Sequence, residues 1–224
     1  MMIVIIALTF GFDERFAIRA LMRRGIRGAV RIAVLVPEEG EQERLERALS
    51  VLNDFVTQYV TGRGIERLAV PVEDFLGSVL MLARTFRSWT ERPVVLNLSG
   101  GMRLLVAEAL SAALLSRVPM TVEIESEDGK VLAEFSTTVL TLPETDEVDR
   151  QIIESLGYGA MTLGLLSERL GLSKPTVWRR LRRLAEAGLL ELSKGRKREA
   201  VASLTKSGKF YRELVCWREL TRMR

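Results

Sequence analysis

Histidine is missing from all 224 residues, cysteine occurs once, and no lysine precedes Lys130. Without histidine the chain can build neither a Ser-His-Asp hydrolase nor a His-ligated zinc site, and it lacks the commonest general base. The single Cys216 rules out an intrachain disulfide and any cysteine-cluster metal site; it lies in an apolar helical pattern and reads as a buried residue. Long hydrophobic runs are also lacking. The first stretch, Met2 to Leu8, is far too short to span a bilayer and has neither a basic flank nor a small-residue cleavage site, so it reads as a first strand of a cytoplasmic protein with no membrane partner. Asparagine and glutamine are scarce while arginine and glutamate abound, the composition of thermophile proteins.

What is present is a globular composition, 47% apolar and 28% charged, which argues against long disorder. The length allows one core of Rossmann size and a small second domain. Charge is uneven: residues 1–144 hold 16 Lys and Arg against 19 Asp and Glu, a net of −3, whereas residues 145–224 hold 17 against 10, a net of +7. A basic final third points to nucleic acid.

Along the first part, apolar strands alternate with amphipathic helices. Met2–Leu8 leads through Thr9-Phe10-Gly11-Phe12-Asp13-Glu14 into a helix closed by Gly25. Val30–Val36 stops at Pro37, a charged helix runs from about Glu41 to Val60, Ile65–Val72 is a third strand, and Asp74 caps a helix over Phe75–Trp89. Val94–Asn97 is the fourth strand, followed by a helix from Met102 to Arg117. This alternation is the signature of a parallel sheet wound on both faces. Met120–Ser126 and Val131–Leu140, joined at Asp128-Gly129, then read as a hairpin at one sheet edge. Glu123 and Glu125, at period-two spacing, are expected on an exposed strand face.

The fourth strand ends in Asn97-Leu98-Ser99-Gly100-Gly101-Met102-Arg103. Backbone N–H groups at a helix start, the positive end of the dipole and the Arg103 cation favour an anionic ligand such as phosphate. The same letters are also ordinary strand-to-helix punctuation, with Ser99 as the N-cap. The first and fourth strands both end in glycine loops, which become neighbours if the two strands are adjacent, and ligands in open α/β sheets sit at that reversal point. Neither G-x-G-x-x-G after the first strand nor G-x-x-x-x-G-K-[ST] occurs, so NAD and ATP-hydrolysing readings are weak.

The basic part opens with a helix, Asp146–Leu156. Two short helices follow, Thr162–Leu170 and Lys174–Leu184, joined by a turn containing Gly171, the helix-turn-helix arrangement. Ser173 caps the second, and Pro175 sits in its first turn. Val177, Leu181 and Leu184 form its inner stripe. Lys174, Thr176, Arg179, Arg180 and Arg183 are left outward, with Lys174, Thr176 and Arg179 nearest base edges in a major groove. Trp178 is expected to pack rather than to stack on a sugar. Leu189–Leu192 and Ala200–Leu204 flank a basic wing turn whose Lys194, Arg196, Lys197 and Arg198 would contact phosphate. A last helix starts at Thr205.

With both halves in hand, the sequence resembles the archaeal CRISPR-associated regulators of the Csa3-like family, which join a CARF (CRISPR-associated Rossmann fold) domain to a winged helix-turn-helix. The marks that carry it are Thr9-Phe10-Gly11-Phe12-Asp13-Glu14, Leu98-Ser99-Gly100-Gly101-Met102-Arg103 and Val70-Pro71-Val72-Glu73-Asp74-Phe75. The implied fold is α/β, a Rossmann-like doubly wound, mainly parallel sheet ending in a β-hairpin over residues 1–140, a linker over 141–146, and an α+β winged helix over 147–224. The resemblance further implies an antiviral-defence transcription regulator that binds promoter or leader DNA as a homodimer. Its ligand would be a cyclic oligoadenylate, most often cyclic tetra-adenylate, in a pocket on the two-fold axis lined by Thr9 to Glu14 and by Asn97 to Arg103. No metal, cofactor or catalytic residue is expected. Two alternatives stay open: slow cleavage of the ring with Thr9, Ser99 and Arg103 stabilising the transition state, and a repressor sensing another nucleotide or a phosphosugar.

Overall fold

The computed structural model describes residues 4–24, 30–60, 62–141, 144–195 and 199–222, without the side chains of Val30 and of residues 215–222. The chain divides after Leu140 into two compact units. Gly25, the wing cations Arg196, Lys197 and Arg198, and the side chain of Cys216 lie outside the described residues.

In the first unit, β1 (Val4–Thr9), β2 (Val30–Pro37), β3 (Glu66–Val70), β4 (Val94–Asn97), β5 (Met120–Glu125) and β6 (Leu132–Ser136) form one sheet in the order β3-β2-β1-β4-β5-β6. All pairs are parallel except β5 with β6. The central strands β1 and β4 are continuous, almost wholly aliphatic runs because both faces are covered. On one face, α1 (Glu14–Arg23) and α2 (Gln42–Tyr59) bury Ala17, Leu21, Leu45, Leu49 and Leu52 against Ile6, Leu8 and Val34. On the other, α3 (Phe75–Ser88) and α4 (Arg103–Ser116) bury Leu82, Phe86, Leu105, Ala109 and Ala112 against Ile5, Ala7 and Leu96. The winding reverses between β1 and β4, which pair with Leu8 opposite Asn97. The two glycine loops thus leave the sheet side by side, which meets the condition of strand adjacency that their sequence positions left open.

Three expectations are corrected. The return strand ends at Ser136, and Thr137–Leu140 is a short helix, α5. There the Thr137 hydroxyl accepts from the Met120 N–H at 3.0 Å and donates to the Val118 carbonyl at 3.1 Å, taking backbone partners that a longer strand would have used. Glu123 and Glu125 are buried, not exposed. Cations from the end of α1 reach across to them: Arg24 Nε donates to Glu123 at 2.8 Å, Arg19 Nε lies 2.6 Å from Glu125, and Arg23 also pairs with Glu125. Buried carboxylates persist only when so paired. Finally, Ser99 does not cap α4. The cap position is Met102, which offers no side-chain oxygen, while Ser99 Oγ accepts from the backbone N–H of Glu125 on β5 at 2.9 Å.

The second unit holds α6 (Glu147–Leu156), β7 (Met161–Thr162), α7 (Leu163–Leu170), α8 (Lys174–Glu186), β8 (Leu190–Lys194), β9 (Ala200–Leu204) and α9 (Lys206–Arg222). Its sheet has the order β7-β9-β8 with antiparallel pairs. Ile152, Ile153, Leu166, Val177, Leu181, Leu184 and Leu189 make the core. Gly171, at φ +64°, turns α7 into α8. The helix-turn-helix and the two wing strands stand where the sequence places them, and the short β7 is an addition to that reading.

Candidate functional site

The two glycine loops touch through their backbones. A Cβ on Gly11 would lie 3.1 Å from the Gly101 Cα, and one on Gly101 would lie 3.1 Å from the Phe10 nitrogen and 3.2 Å from its oxygen. Gly101 also adopts φ +85°, a conformation costly for any residue with a Cβ. Hydrogen bonds lock this approach. Thr9 Oγ1 donates to the Gly100 carbonyl at 2.7 Å, the Ser99 N–H donates to Asn97 Oδ1 at 3.1 Å, and Asn97 Nδ2 donates to Glu123 at 3.1 Å. Thr9, Asn97 and Leu98 are each almost fully buried. They brace the loops from beneath.

Above this brace lies a cavity of about 460 Å³. Of the residues anticipated from the sequence, Phe10, Gly11, Phe12, Asp13, Ser99, Gly100, Gly101 and Met102 line it. Glu14 and Arg103, the first residues of α1 and α4, are not among its lining. Met102 makes no side-chain cap hydrogen bond to the start of α4, which leaves first-turn N–H donors uncapped by that residue. Asp13 is otherwise engaged: it caps α1 by accepting from the Arg15 N–H and forms a forked pair with the Arg15 guanidinium, which holds its carboxyl below the usual range.

A third segment completes the wall and was not singled out from the sequence. Pro37, Glu39, Gly40, Glu41 and Arg44 follow the end of β2, and Glu127 adds a further acid. The run Pro37-Glu38-Glu39-Gly40 does mark a turn at a strand end, but only the β2–β1 pairing brings it beside the Gly11 loop. The Arg44 guanidinium lies 4.8 Å above the Phe12 ring. Hydrogen bonding to the neighbouring carboxyl of Glu73 raises Glu39 above its ordinary range.

In the second unit, the Ser173 side chain accepts from the Thr176 N–H at 3.4 Å and caps α8. Lys174, Pro175 and Arg179 are exposed and Thr176 is half-buried. Trp178 keeps 38% of its surface exposed rather than packing fully. Arg180 is half-buried rather than outward, and Arg183 is exposed as expected but ion-paired. Arg180 pairs with Asp146 and Asp149, and Arg183 with Asp149, a carboxylate without solvent exposure that belongs to a capping box at the start of α6. Lys194 is exposed at the end of β8. Among the described residues, no cluster of three or more acids or cysteines could hold a metal ion, and no helix is long and apolar enough to cross a membrane.

Comparison with known proteins gives two family matches: a Csa3 CRISPR-associated Rossmann-like domain over residues 4–136 and a winged helix-turn-helix DNA-binding domain over residues 145–191. Csa3 of Thermoproteus tenax, a CRISPR locus-related protein named for an expected DNA-binding role, is 30% identical over 193 residues, covering 86% of this chain and 88% of that protein. Solved structures match only part of the chain. The YusO protein of Bacillus subtilis is 21% identical over 36% of this chain and 60% of its own, at a TM-score of 0.33. The adhesin competence repressor AdcR of Streptococcus pyogenes is 17% identical over 36% of this chain and 61% of its own, also at 0.33.

Proposed function

The chain belongs to the Csa3 family of CRISPR-associated Rossmann-like proteins, and on that premise we propose that it is a homodimeric transcription regulator of CRISPR loci. It reads double-stranded DNA through α8 and the wing, and it responds to a cyclic oligoadenylate, with cyclic tetra-adenylate the expected ring. The observation that carries this reading is the uncapped start of α4 beside two glycine loops in backbone contact, opening on the 460 Å³ cavity. That volume is in the lower part of the range for ligand pockets. A nucleotide is of that order of size, and a symmetric ring of four would extend beyond one such cavity. A ring of repeated phosphates therefore calls for two copies of the loops about a two-fold axis, and the same axis would pair the two recognition helices for a palindromic operator. Regulation follows if the ring binds one dimer arrangement better than another.

The exposed Lys174 and Arg179 on α8, with Lys194 on β8, are the groups we assign to DNA, together with the wing cations. Calorimetric titration with cyclic tetra-adenylate, with linear tetra-adenylate as the control, tests the ligand. Saturation at one ring per dimer is expected. Absence of heat with any cyclic oligoadenylate would sink the ligand assignment while leaving the DNA-binding assignment to a separate binding assay.

A further inference from the structure

The cavity is chemically lopsided. On its β4 side it offers the Ser99–Met102 loop, with the acid Glu127 beyond β5, whereas at its β2 end it offers two carboxylates close in sequence, Glu39 and Glu41, with Arg44 as the one cation among its described lining residues. The Glu39 and Glu41 carboxylates together disfavour a phosphate at the β2 end. What the carboxylates can accept from is a hydroxyl or an amino group. In the dinucleotide-binding members of the doubly wound class, whose glycine fingerprint is missing from this chain, an acid beyond the end of the second strand takes a ribose hydroxyl. Glu39 holds that position, two residues past β2. The β2 side also supplies a flat surface. Phe12, 42% exposed on the β1–α1 loop, and Arg44, in the first turn of α2, meet with the guanidinium over the ring. Arg44 is held there loosely, its Nη1 3.9 Å from Glu41.

We propose that the β2 end of the cavity is a ribonucleoside subsite, in which Glu39 accepts from a ribose 2′-hydroxyl and the Phe12–Arg44 pair is the platform on which the base stacks. The proposal rests on the nucleotide reading of the cavity and deepens it. It orients the ligand, with sugar and base toward β2 and phosphate toward α4, and it makes the site selective for RNA-type over DNA-type nucleotides. The 2′-hydroxyl is the one sugar hydroxyl left free in a 3′,5′-linked ring.

Titrations of the full-length protein with cyclic tetra-adenylate and with its all-2′-deoxy counterpart test this. A hydrogen bond to a charged acceptor predicts that wild type prefers the ribose ring by about ten- to a hundredfold. In Glu39→Ala, an exposed position where folding is not at stake, the preference collapses toward unity. Phe12→Ala and Arg44→Ala weaken both rings by about tenfold or more, as loss of a stacking surface does, and leave the preference intact. Equal affinity of wild type for the two rings, or a preference that survives in Glu39→Ala, overturns the proposal. If neither ring binds, the cyclic oligoadenylate reading fails on its own. The subsite is then judged with adenosine and 2′-deoxyadenosine 5′-monophosphate at millimolar concentration, where equal binding or none overturns it too.

Discussion

Arg183, on the recognition helix α8, is ion-paired with Asp149, a carboxylate of α6 that has no solvent exposure. Asp149 is at the same time the third residue of α6 and the second partner, with Asp146, of the capping box that starts it. Two of the arginines that mark α8 as basic are thus spent on holding it against α6, since Arg180 joins the same acid and Asp146. A cation already bound to a buried acid is a poor phosphate ligand, because releasing it would strand the acid.

Arg179→Ala and Arg183→Ala should therefore fail differently. Arg179 is exposed, with no ion pair among the described residues, and its loss should weaken operator binding by about 1–3 kcal/mol if it reads a guanine. Arg183→Ala should instead lower the unfolding free energy of the winged-helix unit and change DNA affinity less. Fluorescence anisotropy with operator DNA and urea denaturation of both variants separate the two effects. Equal losses of DNA affinity at unchanged stability would show that Asp149 does not hold Arg183 back.

Gly101→Ala should loosen the ligand site and destabilise the first unit. Its φ of +85° costs a residue with a Cβ about 1–2 kcal/mol, and the added carbon meets the Phe10 backbone at 3.1 Å. Denaturant melts should show at least that loss, and calorimetry should show nucleotide binding reduced or abolished. A variant of wild-type stability would mean that the loops can part without penalty.

Ser99→Ala removes the acceptor for the Glu125 N–H. The expected cost is about 0.5–1.5 kcal/mol, the net worth of one such bond, with ligand affinity falling because the glycine loop is no longer tied to β5. A drop in affinity without any drop in stability would argue instead that Ser99 touches the ligand directly.

Glu108 on α4 is buried, neither of its oxygens has a hydrogen-bond partner among the described residues, and burial, with Asp74 nearby, pushes its pKa to about 7. The folded state then binds this proton more tightly than the unfolded chain, where the ordinary value of 4.5 applies. Stability contributed by the neutral acid is present below pH 4.5 and is lost as pH rises toward 7. Urea melts of wild type should accordingly weaken between pH 5 and pH 8 relative to Glu108→Gln, which stays neutral throughout. Parallel curves for the two proteins across that range would contradict this account.

The order of strands and helices along the chain, the glycine loops after the first and fourth strands, and the helix-turn-helix with its wing strands were legible in the residues alone, whereas the adjacency of the two loops awaited the pairing of β1 with β4. Each is written locally, as apolar periodicity of two or 3.6 residues, as a capping serine such as Ser173, or as a glycine where the chain must turn. The partners of charged side chains were not legible. Glu123 and Glu125 alternate with apolar residues just as exposed strand residues do, yet they face the arginines of α1, about a hundred residues earlier in the chain. Arg180 and Arg183 have the spacing of a solvated helix face, yet meet Asp146 and Asp149. Periodicity says which side of an element a residue occupies but not what else packs there, and that is decided by strand order, register and helix docking. The third wall of the cavity shows the same division. Glu39 and Arg44 carry no local signature of a ligand site, and only the parallel pairing of β2 with β1 brings them beside Phe12.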